Sequence, residues 1–168
     1  MTHCRSQEIG DENAVILKEV DGIEFKFCLL NEAGEPATIF NEGENFTFQF
    51  SIKNNLDTTL YYDNSLFNEE SFCEVKDCNR SFGIPYKKPV VIELIGKVTF
   101  GIPTGYTTER NIKWIPDDDI WTIGFISFKK DNDSFLSKGT YYTEFSHVFD
   151  FDTVRTDKLT FKINFEIR

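Results

Sequence analysis

Basic residues are scarce in this chain: 18 Lys and Arg stand against 28 Asp and Glu, a formal net charge of −10 over 168 residues. Nucleic acids and anionic membranes are held by clustered Lys and Arg, so the balance argues against either as the main partner. Lys87-Lys88 and Lys129-Lys130 are basic pairs with no longer run around them, as at solvated strand ends. Histidine occurs twice and methionine once, at position 1. A Ser/His/Asp or Cys/His arrangement would therefore rest on His147 alone, which shares parity with Tyr141, Phe145, Phe149 and Phe151 and is expected beside the core. G-x-S-x-G, P-loop and H-E-x-x-H motifs are missing, so no enzyme and no cofactor are expected. No run approaches the ~20 apolar residues of a membrane-spanning helix, and the N-terminus as written has no apolar leader core. A soluble chain is the expectation.

What is abundant is phenylalanine: 18 Phe join 6 Tyr and 2 Trp, and 40% of residues are hydrophobic. A chain of this length buries about 70% of its unfolded surface, enough for a core without metal. The apolar residues alternate. Phe46, Phe48, Phe50 and Ile52 fall on one face of residues 45–54, and Leu159, Phe161, Ile163, Phe165 and Ile167 on one face of 159–168. Ile23, Phe25, Phe27 and Leu29 repeat the pattern. One-sided alternation marks half-buried strands in antiparallel sheets.

Shorter apolar runs at 58–62, 72–76, 90–95, 98–102, 108–114, 120–128 and 140–151 are separated by breakers, among them Gly83–Pro89 and Pro103–Gly105. Many short strands between turns predict an all-β sandwich of about 7–10 strands with almost no helix. Residues 1–12 are polar and acidic and read as a flexible tail, leaving 13–168 as one domain. Ten phenylalanines, at 25, 27, 46, 48, 50, 145, 149, 151, 161 and 165, are assigned to the core.

The order of several positions carries a resemblance. A strand ending in Asn54-Asn55 is followed by Thr59–Tyr62, Phe72-Cys73-Glu74-Val75, Gly105 and a strand closing on Trp114, then by Leu136-x-x-Gly139-x-Tyr141. Over roughly residues 40–150 this resembles bacterial immunoglobulin-like sandwiches, in particular the BsuPI-like intracellular proteinase inhibitor pattern and small envelope lipoproteins of Bacteroidetes. The resemblance implies a Greek-key antiparallel sandwich in which Tyr141 makes a tyrosine corner, its hydroxyl bonded upstream, with Gly139 allowing close approach and Leu136 as an apolar plug. No inhibitory loop can be matched residue by residue, so proteinase inhibition is an analogy of fold.

Four cysteines remain to be placed. Cys73 and Cys78 enclose four residues, which suits either a disulfide across a hairpin or two free thiols on a loop. Cys28 is out of phase with its strand, either facing the other sheet surface or following a bulge. Cys4 precedes a polar stretch and is a lipidation candidate, Met1-Thr2-His3 then being the end of a signal peptide; the alternative is a plain tail. Asp117, Asp118, Asp119, Asp131 and Asp133 are weak calcium candidates with an adequate explanation as turn residues. Glu69-Glu70 and Asp150-x-Asp152 lack any shown facing geometry for hydrolysis. Asn45, Asn79 and Asn132 head glycosylation sequons.

Tyr106, Trp114 and Trp121, beside acids and prolines between Gly101 and Trp121, are the binding-surface candidates, with Trp114 also suited to a core Trp. The expected function is a non-catalytic exported binding or accessory module, periplasmic or on the outer cell surface, taking a protein or glycan and touching the membrane only through a lipid at Cys4. A proteinase-inhibitor-like protein and a carbohydrate-binding module are the alternatives.

Overall fold

The computed structural model describes residues 14–63, 72–90, 99–123 and 126–168. Cys4, the 1–12 tail and Glu69-Glu70 lie outside them. Fourteen strands and no helix occur among the described residues, so the all-β class is as expected and the strands outnumber the about 7–10 predicted. One sheet is ordered β1 (Val15–Val20), β2 (Ile23–Leu30), β4 (Thr47–Asn54), β10 (Thr107–Lys113). A second is ordered β3 (Ile39–Phe40), β14 (Leu159–Ile167), β13 (Gly139–His147), β6 (Val75–Lys76), β7 (Ser81–Gly83). A third joins β11 (Ile120–Ile123), β12 (Ile126–Lys130) and β8 (Tyr86–Val90), and β5 (Leu60–Asp63) pairs with β9 (Thr99–Ile102).

The alternating phenylalanines explain why the first two sheets face each other. In register, Phe25 lies opposite Ile52, Phe27 opposite Phe50 and Leu29 opposite Phe48, all on one face. Their rings meet those of β13, β14 and the segment after β13: Phe25–Phe149 at 4.6 Å, Phe27–Phe145 at 5.2 Å, Phe46–Phe165 at 5.2 Å and Phe50–Phe161 at 5.4 Å between centroids. Tilted and edge-on pairs of this kind contribute about 0.5–1.5 kcal/mol each beyond their area. All ten of the phenylalanines assigned to the core are buried.

One pairing is parallel, against the antiparallel expectation: β3 runs beside β14, with Ile39 opposite Glu166 and Phe40 opposite Ile167. The segment between β2 and β4 changes sheet here and satisfies the outer backbone of β14. Glu166 N–H donates to Thr38 O at 2.8 Å, Arg168 N–H to Phe40 O at 2.9 Å and Glu42 N–H to Arg168 O at 2.8 Å.

Two local readings change. The run 120–128 is two strands, β11 and β12, paired antiparallel with Trp121 opposite Phe128. The breaker Gly83–Pro89 contains the start of β8; among the described residues that strand pairs on one side, with β12, and an edge strand tolerates the missing N–H of Pro89. The β1–β2 hairpin turns on Asp21-Gly22, whose φ values of 49° and 79° fit a two-residue primed turn, and a Cβ at Gly22 would stand 2.7 Å from Leu56 Cδ2.

At the start of β13 the Tyr141 ring is buried, its hydroxyl donates to Ser137 O at 2.7 Å, and Leu136 is buried beside it. A Cβ on Gly139 would touch that ring at 3.4 Å. Burial raises the phenol's pKa, with Asp77 adding to the effect and Arg80 opposing it.

Candidate functional site

Trp114 closes the alternation of β10 and points inward with Ile112. It is 2% exposed, its indole lies parallel to the Phe46 ring at 6.1 Å and 3°, and Nε1–H donates to Ser134 O at 3.2 Å. Trp114 is therefore a core residue and leaves the binding-surface set. Tyr106 is 66% exposed on the turn between β9 and β10, away from the cavity described next.

Beyond Trp114 the chain leaves the sheet, and two side-chain amides hold it. Asn45 Oδ1 accepts from Ile115 N–H at 3.0 Å while its Nδ2 donates to Ile115 O at 2.9 Å. Asn132 Nδ2 donates to Trp114 O at 2.9 Å and to Ser134 O at 3.3 Å. The Asn45 and Asn132 side chains act here as backbone clamps. Against the clamped segment opens a cavity of about 320 Å³, lined in part by Thr47, Asn111, Lys113, Asp117, Asp118 and Trp121.

Trp121 is half-buried and held by the third sheet: Phe128 stacks on it at 5.6 Å and 12°, and Tyr86 meets it edge-on at 6.2 Å. One indole face is thus occupied, and Trp121 also lines the cavity. Lys113 Nζ and Asp117 Oδ2 are paired at 2.6 Å, whereas Asp118 has no ion pair among the described residues. No family model, curated protein or solved structure matches the chain. The chemistry of this wall has to carry the functional argument: an aromatic surface, an amide, an ion pair, a hydroxyl and an unpaired carboxylate.

From Asn111 the polar surface continues along the outer face of the first sheet. Cys28, Gln49 and Asn111 are directly opposed across β2, β4 and β10 without a bulge. The Cys28 thiol donates to Gln49 Oε1 at 3.5 Å, Gln49 Nε2 to Asn111 Oδ1 at 3.0 Å and Asn111 Nδ2 to Glu109 Oε1 at 2.8 Å. Cys28 thus faces the outer surface, the first of its two readings, and is covered there. Burial raises its pKa, Lys26 lowers it and Glu109 raises it.

The remaining candidates are dispersed. Cys73 is a free thiol with no exposure, so the Cys73–Cys78 bridge is not formed. The reason is placement: Cys73 enters the core before β6, while Cys78 stands exposed on the turn after it and is disulfide-bonded elsewhere. Burial pushes the Cys73 thiol well up. Asp117 is engaged by Lys113, Asp131 by Lys87 at 3.6 Å and Asp133 by the Ser134 hydroxyl at 3.1 Å. Asp119 offers its carbonyl to Lys130 N–H at 2.8 Å. Among the described residues no three His, Cys, Asp or Glu side chains are placed to hold a metal ion together, so the five aspartates are not gathered into a calcium site. His147 is half-buried with its ring edge-on to Phe149 at 4.8 Å. Asp150 is paired with Arg155 at 3.2 Å, and Asp152 accepts from Tyr61 N–H at 3.0 Å.

Sequence reasoning passed over Gln49, Asn111, Lys113 and Thr47. The available signal was the row of outward polar positions on strands whose other face is apolar, with amides flanking Trp114.

Proposed function

We propose that this protein is a non-catalytic binding module of the cell envelope, built on an immunoglobulin-like Greek-key sandwich, with the Trp121 cavity as its ligand site. The observation that carries the reading is the cavity wall, where a fixed indole borders Asn111, Lys113, Asp117 and Asp118. A rigid aromatic surface with a few convergent polar groups is the usual make-up of a recognition site. The disulfide at Cys78 supports export, since such bonds persist in oxidising compartments. Because Cys28 and Cys73 are free thiols, the lipid anchor and the bond at Cys78 compete for the sulfur of Cys4, and the tether is the part of this reading that the experiment below decides.

The two tryptophans make the binding claim measurable. In an indole ¹⁵N–¹H spectrum titrated with solubilised envelope glycans and, separately, envelope proteins, a module of this kind shifts the Trp121 resonance and leaves buried Trp114 in place. No shift of Trp121 with either fraction refutes the site. For the tether, a palmitate analogue is expected to label the full-length gene product and not its Cys4→Ser form. A Cys4–Cys78 peptide in the unreduced protein would exclude the anchor, because one sulfur cannot carry both bonds.

A further inference from the structure

The cavity is small for a complete ligand, at about 320 Å³ near the lower end of the about 300–1,000 Å³ of small-molecule sites. It is not isolated, because Asn111 belongs both to its wall and to the amide row on the outer sheet face. We propose, on the reading above, that the ligand is an uncharged saccharide chain, with one unit against Trp121 and its continuation crossing β10 and β4 over Asn111 and Gln49.

Each amide in the row spends one N–H on its neighbour, so the row is oriented before any ligand arrives. An amide nitrogen carries two N–H donors, and among the described residues the second ones of Gln49 and Asn111 have no protein partner. The exposed and half-exposed groups along this path are amides, the Thr47 hydroxyl, the Lys113–Asp117 ion pair and the carboxylates of Asp118 and Glu109, a mixture of donors and acceptors. Hydroxyl groups give and accept at once and so match such a surface. From β10 to β2 the row spans two strand spacings, about 10 Å, which is beyond a single sugar ring.

Charge decides against the other ligand classes. A uronic-acid or phosphate polymer would meet Asp118 and, beside Asn111, Glu109, on a chain of net charge −10, and the cation in the wall, Lys113, is already paired with Asp117. A cationic peptide would find Asp117 already neutralised by Lys113, leaving Asp118 and Glu109 as the carboxylates along the path and two amides between β10 and β2 that give it no charge to pair with.

The test uses the folded full chain on a printed panel of neutral, amino-sugar and uronic-acid oligosaccharides. Calorimetry then follows the best neutral series from monosaccharide to hexasaccharide, with a lysine-rich peptide as comparison. Affinity should rise with chain length. Gln49→Ala, a change on the outer sheet face with the core untouched, should weaken the longer members by about 3–10-fold, as for one lost hydrogen bond, and the monosaccharide by less, since that unit meets Gln49 only through Asn111. Trp121→Ala should weaken every member by about thirtyfold, the scale of an aromatic anchor; because it also removes a packing contact, Asp118→Ala is the second variant, expected to lower affinity with its melting curve unchanged. If Trp121→Ala and Asp118→Ala weaken binding while length and Gln49→Ala have no effect, the extended chain is refuted and the cavity stands. Tighter binding of the lysine peptide or of uronic acids refutes the ligand class. Binding to nothing on the panel refutes the proposal, and the envelope-protein titration above then decides the binding module by itself.

Discussion

Asn54 offers the sharpest test of how the sandwich is held at its corner. It ends β4 with no exposed surface, and its side chain makes three hydrogen bonds to backbone: Nδ2 donates to Thr58 O at 2.7 Å and to Ile102 O at 2.8 Å, while Oδ1 accepts from Leu56 N–H at 2.9 Å. Its own N–H donates to Tyr106 O at 3.0 Å and its carbonyl accepts from Gly105 N–H at 2.7 Å, so one residue ties the loop after β4 to the turn before β10. Asn54→Ala leaves two carbonyls and one N–H without these partners. At about 1 kcal/mol for each bond the loss is about 3 kcal/mol, a large share of the about 5–15 kcal/mol that keeps a domain folded. In urea unfolding followed by Trp fluorescence, with a slope of about 2 kcal/mol/M, the midpoint should fall by about 1.5 M. Asn54→Asp keeps the acceptor and sets a carboxylate against two carbonyl oxygens in a buried place, which raises the folded-state pKa above the unfolded value of about 4. Its stability contribution is present below that unfolded value and is lost as pH rises through the folded pKa, so Asn54→Asp should be least stable relative to wild type at neutral pH. A midpoint shift for Asn54→Ala below about 0.3 M would refute the argument, because water would then be replacing the side chain.

Tyr141→Phe removes the bond to Ser137 O and should cost about 1 kcal/mol, seen as a melting temperature lower by about 2–4 °C. An unchanged melting curve would show the hydroxyl to be dispensable. Cys28 and Cys73 are buried thiols with raised pKa values, so iodoacetamide should leave both unmodified in the native protein and alkylate both in urea. Native labelling of Cys73 would contradict its place in the core. Asn45→Ala should lower stability by about 2 kcal/mol through the two lost bonds to Ile115, and should also weaken any ligand of the cavity by releasing the segment that carries Asp117 and Asp118.

The apolar half of the fold was legible because a period of two assigns a side to every residue of a strand whatever its neighbour. Phe25, Phe50 and Phe161 are buried on that rule alone. The Tyr141 hydroxyl was legible through Leu136 and Gly139, a local arrangement. The cavity was not, because it depends on register: Thr47 lies opposite Lys113 and Gln49 opposite Asn111 only once β4 and β10 are aligned, and alternation does not choose the alignment. Cys73 and Cys78 misled for a related reason. Their spacing suited a hairpin, but the cross-strand partners in β6 and β7 are Val75 with Gly83 and Lys76 with Ser81, which puts the turn rather than a cysteine pair at the end. Asn45 and Asn132 matched sequons, and nothing in their local sequence shows that their amides clamp Trp114 and Ile115.

The facing of β2 and β4 by β13 and β14 has a consequence for the order in which the protein is made. The inner rings Phe25, Phe27, Phe48 and Phe50 belong to residues 23–54, and their partners Phe145, Phe161 and Phe165 are translated roughly a hundred residues later. At about 5–20 residues per second the nascent first sheet waits about 5–20 s with its aromatic face uncovered. Synthesis therefore passes through an interval in which the most apolar surface of the chain is open to chaperones, and to other nascent chains, before the segment that seals it exists.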